Sequence, residues 1–452
     1  MNALFRNFFV NGILRAGATV FGVLIEALMV RALAPADYAT WGVSLSLSLI
    51  AIVLIQYGYQ TSAIKIFARH KSGDAAGFHT TLAAAAVIWF LSSLLFLTVF
   101  AFFFGIFFPG TADRTLFWAI AIMTIARGIN TALAEGMRGI GHIATAAGLS
   151  GLGQHGGLVR ALGLGAVLVT LHFFGRLDLV SALWAATAVS LAGCGWILIL
   201  ALRQIDDNDP VCVTGVRAAI LRDFALNSRL MTAQLLQLGS SRFAANVIGG
   251  ALALGPTLSP LLLAQQIAQL LLSPLTVLNG AIPNLIIDAH RRGERSELEK
   301  LLRAASTLAF PVSAIGALTV TLAGPNLFKF AFGAEHENAY IFCLVLVPGV
   351  LFNSYAGSAA RALALLGHER AYAVTSFITA LVAVPIYWIS GLNWGAIGLA
   401  VVSSLVLVGQ NIVYIWLLHK KLGVRSHANL HPRVVMQAAS WIRRNGLKGK
   451  PR

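Results

Sequence analysis

Acidic residues are the scarcest charge in this chain: 17 Asp and Glu stand against 33 Lys and Arg among 452 residues, a formal net charge of +16. Charged residues of either sign make up only 11% of it, whereas 58% are apolar and the mean hydropathy is +0.78. An ordinary soluble globule, with about 25% charged residues, is thereby excluded. The three cysteines, Cys194, Cys212 and Cys343, lie far apart without ligand-type spacing, so neither a disulfide framework nor a metal site is indicated. No glycine-rich phosphate loop, HExxH or nucleophile elbow is present, so the chain is expected to be no enzyme and to need no cofactor. Its basic residues form no long stripe with interleaved aromatics, which argues against nucleic acid as a partner. The first apolar run is interrupted by charges and has no fitting small-residue site, so no cleavable signal is expected.

What the chain does have is apolar runs of membrane-crossing length, about 20 residues each. They predict an all-α polytopic membrane protein with twelve spans, at about 11–33, 40–64, 79–108, 116–137, 144–171, 179–202, 228–254, 261–287, 301–323, 340–362, 371–390 and 395–418. The breaks between spans alternate between basic and nearly charge-free. One set holds Lys65, Arg69, Lys71, Arg138, Arg203, Arg291, Arg292, Arg295, Arg361 and Arg370, and the other only Arg114, Arg176 and Lys329. By the positive-inside rule the first set is cytoplasmic, and an even number of spans puts both termini there.

Two landmarks recur at half-length spacing. His70-Lys71-Ser72-Gly73-Asp74 returns as His290-Arg291-Arg292-Gly293-Glu294, and Gly141-His142 returns as Gly367-His368. Their order predicts a duplicated six-span unit, with the two lobes related by a parallel internal repeat. The expected division is a first lobe at 1–203, a linker at 204–227 with a short interfacial helix, a second lobe at 228–419 and a basic tail at 420–452. Pro274, Pro283, Pro311, Pro348 and Pro385 fall within spans of the second half and none within those of the first, which predicts a more bent second lobe. The glycine-dense fifth span reads as close packing first and as a hinge second.

An ionisable group at mid-bilayer costs about 2.5–3.5 kcal/mol, so each one marks a functional position. Arg127, Arg160 and Arg242 lie near the centres of spans four, five and seven, and Glu26 lies deep in span one. Glu26 is expected to satisfy Arg127 or Arg160, as an ion-coupling group or a salt bridge within the first lobe. Arg242 has no deep acid in its own lobe, and a guanidinium of that kind binds phosphate bidentately. Gln56 and Gln60 are expected to share one face of span two, Gln234 and Gln237 one of span seven, and Gln265 and Gln269 one of span eight. These amides serve either to bond helices together or to contact a hydroxyl-rich substrate. His155 reads as a satisfied structural histidine before it reads as a proton carrier.

Arg31-Ala32-Leu33-Ala34-Pro35-Ala36-Asp37-Tyr38, a long apolar span, then Tyr57-Gly58 and Ala63-Ile64-Lys65 resemble the opening of Wzx-type polysaccharide-repeat flippases. Phe332-Gly333, Ala364-Leu365-Leu366-Gly367-His368 and Trp394-Gly395-Ala396-Ile397-Gly398-Leu399-Ala400 continue the resemblance through the second half. It implies the superfamily that also holds MATE drug exporters and lipid II flippases, whose two six-helix lobes enclose a cavity lined by spans one, two, seven and eight. It further implies transfer of undecaprenyl-pyrophosphate-linked oligosaccharides across a bacterial inner membrane, for O-antigen or exopolysaccharide synthesis. The partners implied are that lipid-linked oligosaccharide, membrane lipids and other polysaccharide-assembly membrane proteins. Arg242 and Arg15 match the cationic cavity residues by position, and Glu26 resembles by span the first-lobe carboxylate that couples cations in some MATE relatives. A cation-coupled exporter of small molecules is the alternative within transporters. A membrane-embedded polysaccharide polymerase or ligase is the alternative outside them, disfavoured because every outer loop is short.

Overall fold

The computed structural model describes residues 3–68, 78–109, 113–139, 142–150, 155–204 and 213–429. Among the described residues every regular element is helical. The first lobe comprises α1 (Ala3–Ala32), α2 (Pro35–Gln56), α3 (Tyr59–Ala68), α4 (Phe78–Phe107), α5 (Arg114–Gly139), α6 (Ile143–Leu149), α7 (Leu158–Phe173) and α8 (Leu179–Gln204). The second comprises α9 (Val213–Gly239), α10 (Arg242–Ala251), α11 (Ser259–Ala281), α12 (Pro283–Arg291), α13 (Arg295–Phe332), α14 (Ala339–Ala356), α15 (Ala359–Leu365) and α16 (Glu369–Leu422). Counting α2–α3, α6–α7, α9–α10, α11–α12 and α14–α15 as single interrupted passes, and α16 as two passes bent at Gly395, gives six per lobe among the described residues.

The duplication is visible in where the passes break. The second pass of each lobe is interrupted near its basic end, at Tyr57–Gly58 and at Ile282, and a short helix, α3 or α12, then leads into the repeated basic box. The second copy of that box closes α12 through Gly293; residues 70–74 of the first copy lie outside the described residues. The fourth pass of the second lobe likewise ends in α15 and the turn at Gly367-His368.

Local chemistry explains these boundaries. Pro35 opens α2, where its missing N–H costs nothing, and Asp37 in the first turn complements the helix dipole. At its other end Tyr57 is left-handed (φ 48°) and Gly58 follows at φ 80°. A Cβ at Gly58 would stand 2.2 Å from the Asn227 carbonyl oxygen of α9, so glycine lets the two lobes touch there. Between α4 and α5 the rings of Phe96, Phe100, Phe104, Phe108 and Phe117 pack, stacked and edge-on, at centroid distances of 5.1–5.4 Å. These rings belong to a core that runs through both lobes.

Pro274, Pro311, Pro348 and Pro385 sit inside α11, α13, α14 and α16 without ending them, and only Pro283 begins a new helix. Among the described residues the first lobe is interrupted twice, without proline, at Tyr57–Gly58 and between Leu149 and Leu158, whereas the second is interrupted three times and also bends at Gly324 and Gly395. Packing accounts for part of the glycine-dense fifth span, since a Cβ at Gly157 would meet the Gly148 carbonyl oxygen at 2.3 Å. The interfacial helix of the linker is not separate: α9 runs unbroken from Val213 into the seventh pass. Residues 205–212 of the linker and the tail beyond 429 lie outside the described residues.

The lobes meet at both ends. Near the basic face Ser62 Oγ donates to Asn227 Oδ1 at 2.5 Å, and the hydroxyls of Tyr57 and Ser228 are 2.8 Å apart. Near the charge-poor face Arg31 Nη2 donates to the Phe330 carbonyl at 2.6 Å. Each such bond contributes about 1 kcal/mol.

Candidate functional site

The deepest polar groups converge where α1, α2, α10 and α11 face one another across the lobe boundary. Span seven is not continuous there. Ser240 and Ser241 interrupt it, and the Ser241 side chain caps α10 by accepting from the Phe243 N–H at 3.2 Å. Arg242 is therefore the first residue of α10 rather than a mid-helix position, and its guanidinium reaches α11. Nη1 donates to the Gln265 carbonyl at 2.7 Å, and the guanidinium carbon lies 4.9 Å from the Phe243 ring centroid. The side chain is half-buried and forms no ion pair among the described residues.

Asn246, one turn along α10, fixes this arrangement. Its Nδ2 donates to Ser46 Oγ of the other lobe at 3.0 Å and to Gln265 Oε1 at 2.9 Å, and Gln265 Nε2 returns a bond to Asn246 Oδ1 at 2.9 Å. Gln265 is thus spent on positioning α10 and Arg242, and is not free to meet a sugar. The next residue of α11, Gln266, reaches into the first lobe, where its Nε2 lies 3.4 Å from Glu26 Oε1. Successive residues of one helix therefore hold Arg242 and Glu26, and the two charges lie within electrostatic range of each other.

Glu26 is 2% exposed, and its partner is not an arginine. His155 Nε2 lies 2.8 Å from Glu26 Oε1, and the Tyr38 hydroxyl faces the same carboxylate. Trp41 stacks on the imidazole at a centroid distance of 6.4 Å. The expected bridge to Arg127 or Arg160 is therefore replaced. Arg127 donates from Nη1 to Ser48 Oγ at 3.1 Å, deep in the first lobe. The Arg160 guanidinium lies over Gly156, where a Cβ would come within 3.0 Å of Nη1, and Arg127 and Arg160 are in electrostatic range of each other. The physical reason is the interruption between α6 and α7, which delivers His155 to Glu26 and leaves Arg160 at the start of α7.

The other expected residues scatter. Gln56 is fully buried and donates to the Gly128 carbonyl at 2.9 Å, inside its own lobe. Gln60 lies in α3, beyond the break at Gly58, so the two share no helical face; the Gln60 side chain is outside the described residues. Gln234 and Gln269 are half-buried and Gln237 is exposed. Arg15 lies 11 residues before Glu26 on α1, about 16 Å nearer the basic face. There it is in electrostatic range of Arg138, Arg361 and Glu135, and Arg138 pairs with Glu135 at 3.0 Å. Arg15 therefore belongs to a basic mouth rather than to the Arg242 site. Asn246, Gln266 and Ser46 were missed by sequence reasoning; their only signal was a polar side chain in an apolar run.

No protein-family model and no curated protein matches this chain. Solved structures match in fold. An inward-facing multidrug-resistance MATE family transporter of the MOP superfamily superposes with a TM-score of 0.66 at 15% identity, covering 91% of this chain and 94% of that one. The lipid II flippase MurJ in an inward closed conformation gives 0.62 at 11% identity, over 96% and 92%. A mutant of the Vibrio cholerae MATE transporter VcmN gives 0.62 at 13% identity, over 93% and 97%. The chain therefore has the MATE-like fold of MOP-superfamily transporters.

Proposed function

We propose that this protein is a flippase for oligosaccharides linked through pyrophosphate to a polyprenyl lipid, working by alternating access between its two lobes. The observation that supports it is Arg242: a guanidinium at a helix break on the lobe boundary, bonded to one carbonyl, with further donors for a phosphate. The basic mouth of Arg15, Arg138 and Arg361 supports the same cargo, since it draws anions from the basic face, which is taken as cytoplasmic. Sugars would sit beside half-buried Gln234 and Gln269, and the polyprenyl chain would remain in lipid. Assignment to a Wzx-type role, and to a bacterial inner membrane, rests on the sequence resemblance.

Glu26 and His155 form the ion-coupling element in this reading. Their contact requires one shared proton, and the buried His155 Nδ1, without a partner among the described residues, offers the place for a second. Such a pair exchanges a proton beside the site where the lobes separate.

A small-molecule exporter is the second reading, favoured by the likeness to MATE transporters and by a first-lobe carboxylate at mid-membrane. Proteoliposomes holding a fluorescent polyprenyl-pyrophosphate oligosaccharide separate the two. The flippase moves that lipid between leaflets and leaves cationic dyes alone; lipid movement no faster than in empty liposomes, together with dye transport, supports the exporter.

A further inference from the structure

Beyond α16 the chain turns back at Gly423 and enters the basic end of the second lobe as an extended segment. Val424, Ser426 and Ala428 are buried on alternate positions. The Ala428 N–H donates to the Tyr355 carbonyl at 2.9 Å, and Ser426 Oγ to the Ala356 carbonyl at 2.9 Å. These are carbonyls of the last turn of α14, which have no following helical N–H to accept. The segment thus supplies a C-terminal cap from 70 residues downstream. On its other side Ser306 Oγ donates to the Ser426 carbonyl at 2.6 Å and the Asn429 N–H donates to Thr307 Oγ1 at 2.9 Å, which ties α13 to the same seam. Gly357, at φ 72°, allows the fit, for a Cβ there would stand 2.7 Å from Ser306 Cβ and 3.0 Å from the Ser426 oxygen.

We infer that residues 424–429 form a strap, released by acidification, that sets the elbow between α14 and α15 and through it the position of Arg361 at the basic mouth. The mechanical route is short. Directly after Gly357, Ser358 bonds to the Asn279 side chain of α11, and Arg361 Nη1 donates to the Asn279 carbonyl. Arg361 is there in electrostatic range of Arg15 and Arg138. An elbow without its cap loses two carbonyl partners in a half-buried seam, and the residues it aims lose their register.

The release comes from His427, whose ring stacks on Tyr355 at 5.6 Å and 28°. The groups facing it are Tyr355 of α14, Glu299 and Arg303 of α13, His419 of α16 and Arg425 of the strap itself. Burial, Arg303, Arg425 and His419 disfavour the imidazolium more than Glu299 favours it, so the docked ring is held below its ordinary value of 6.5. A histidine depressed on docking stabilises the docked form fully above that ordinary value, and the contribution is lost as pH falls through the docked one. Acidification on the basic face therefore loosens the strap.

Amide hydrogen exchange on the purified full chain in lipid nanodiscs, corrected for intrinsic rates, tests this at about pH 7.5 and about pH 5.5. Residues 424–429 should be protected at the higher pH and lose protection severalfold at the lower, with residues 355–362 following. His427→Phe, which keeps the stacked ring and cannot charge, should hold both segments protected at both values. Ala428→Pro, which removes the N–H bonded to Tyr355, should deprotect 355–362 even at the higher pH. The inference is overturned if the strap of the parent exchanges freely at about pH 7.5 or shows the same protection at both values. It is equally overturned if His427→Phe responds to pH as the parent does, or if the strap opens while residues 355–362 stay protected.

Discussion

Glu26 and His155 meet at 2.8 Å, Oε1 to Nε2, with side chains 2% and 4% exposed. This carboxylate of the first lobe is thus paired with an imidazole rather than with a permanent cation, and Gln266 ties the pair to the opposite lobe. An arginine bridge would lock the carboxylate in its charged state. An imidazole can give or take the proton between them, which suits the coupling role proposed above.

Removing either partner leaves a buried polar group stranded, so Glu26→Ala and His155→Ala should each destabilise the protein by about 3 kcal/mol. The double variant should lose less than the sum, by about 1–3 kcal/mol. Thermal unfolding in detergent checks this, and additive losses would mean that the two residues do not interact. Glu26→Gln, which keeps the shape and removes the charge, should insert normally and transport poorly; normal transport across pH would reduce Glu26 to a structural role.

Gly58→Ala tests the contact between lobes near the basic face. The substitution adds a left-handed penalty of about 1–2 kcal/mol and drives a methyl into the Asn227 carbonyl. The expected result is a clear fall in the unfolding temperature, together with faster labelling of a cysteine placed at Ser228. An unchanged temperature and labelling rate would show that the lobes are not closed there.

The break between α12 and α13, with Arg291, Arg292 and Arg295, should lie on the same side of the membrane as the residues after α16. Cysteines introduced at either place should resist impermeant reagents in intact cells. Reaction of one but not the other would break the even number of passes.

Much of this architecture was legible in the sequence because apolar run length and the charge of the breaks are one-dimensional signals. The recurrence of His70–Asp74 as His290–Glu294 was enough to expect two similar lobes. The interruptions at Tyr57–Gly58, between Leu149 and Leu158, and at Ser240–Ser241 were not legible, since an apolar run keeps its hydropathy whether or not its helix breaks. The site followed the same division. Arg242 and Glu26 stood out because charge in an apolar run is costly. Their partners did not: which imidazole or amide crosses from a neighbouring helix is set by packing, and the interruption that delivers His155 carries no periodicity to read.

Leaflet transfer in proteoliposomes decides whether the guanidinium of Arg242 receives the phosphate of the proposed cargo. The measurement compares the parent with Arg242→Lys, Arg242→Gln and Arg242→Ala, using a fluorescent polyprenyl-pyrophosphate oligosaccharide. Arg242→Ala should abolish transfer with the protein still folded in the membrane, and Arg242→Lys should keep part of it, retaining the charge without the bidentate fork. Arg242→Gln should fail like Arg242→Ala; transfer by Arg242→Gln at the parent's rate would contradict the account.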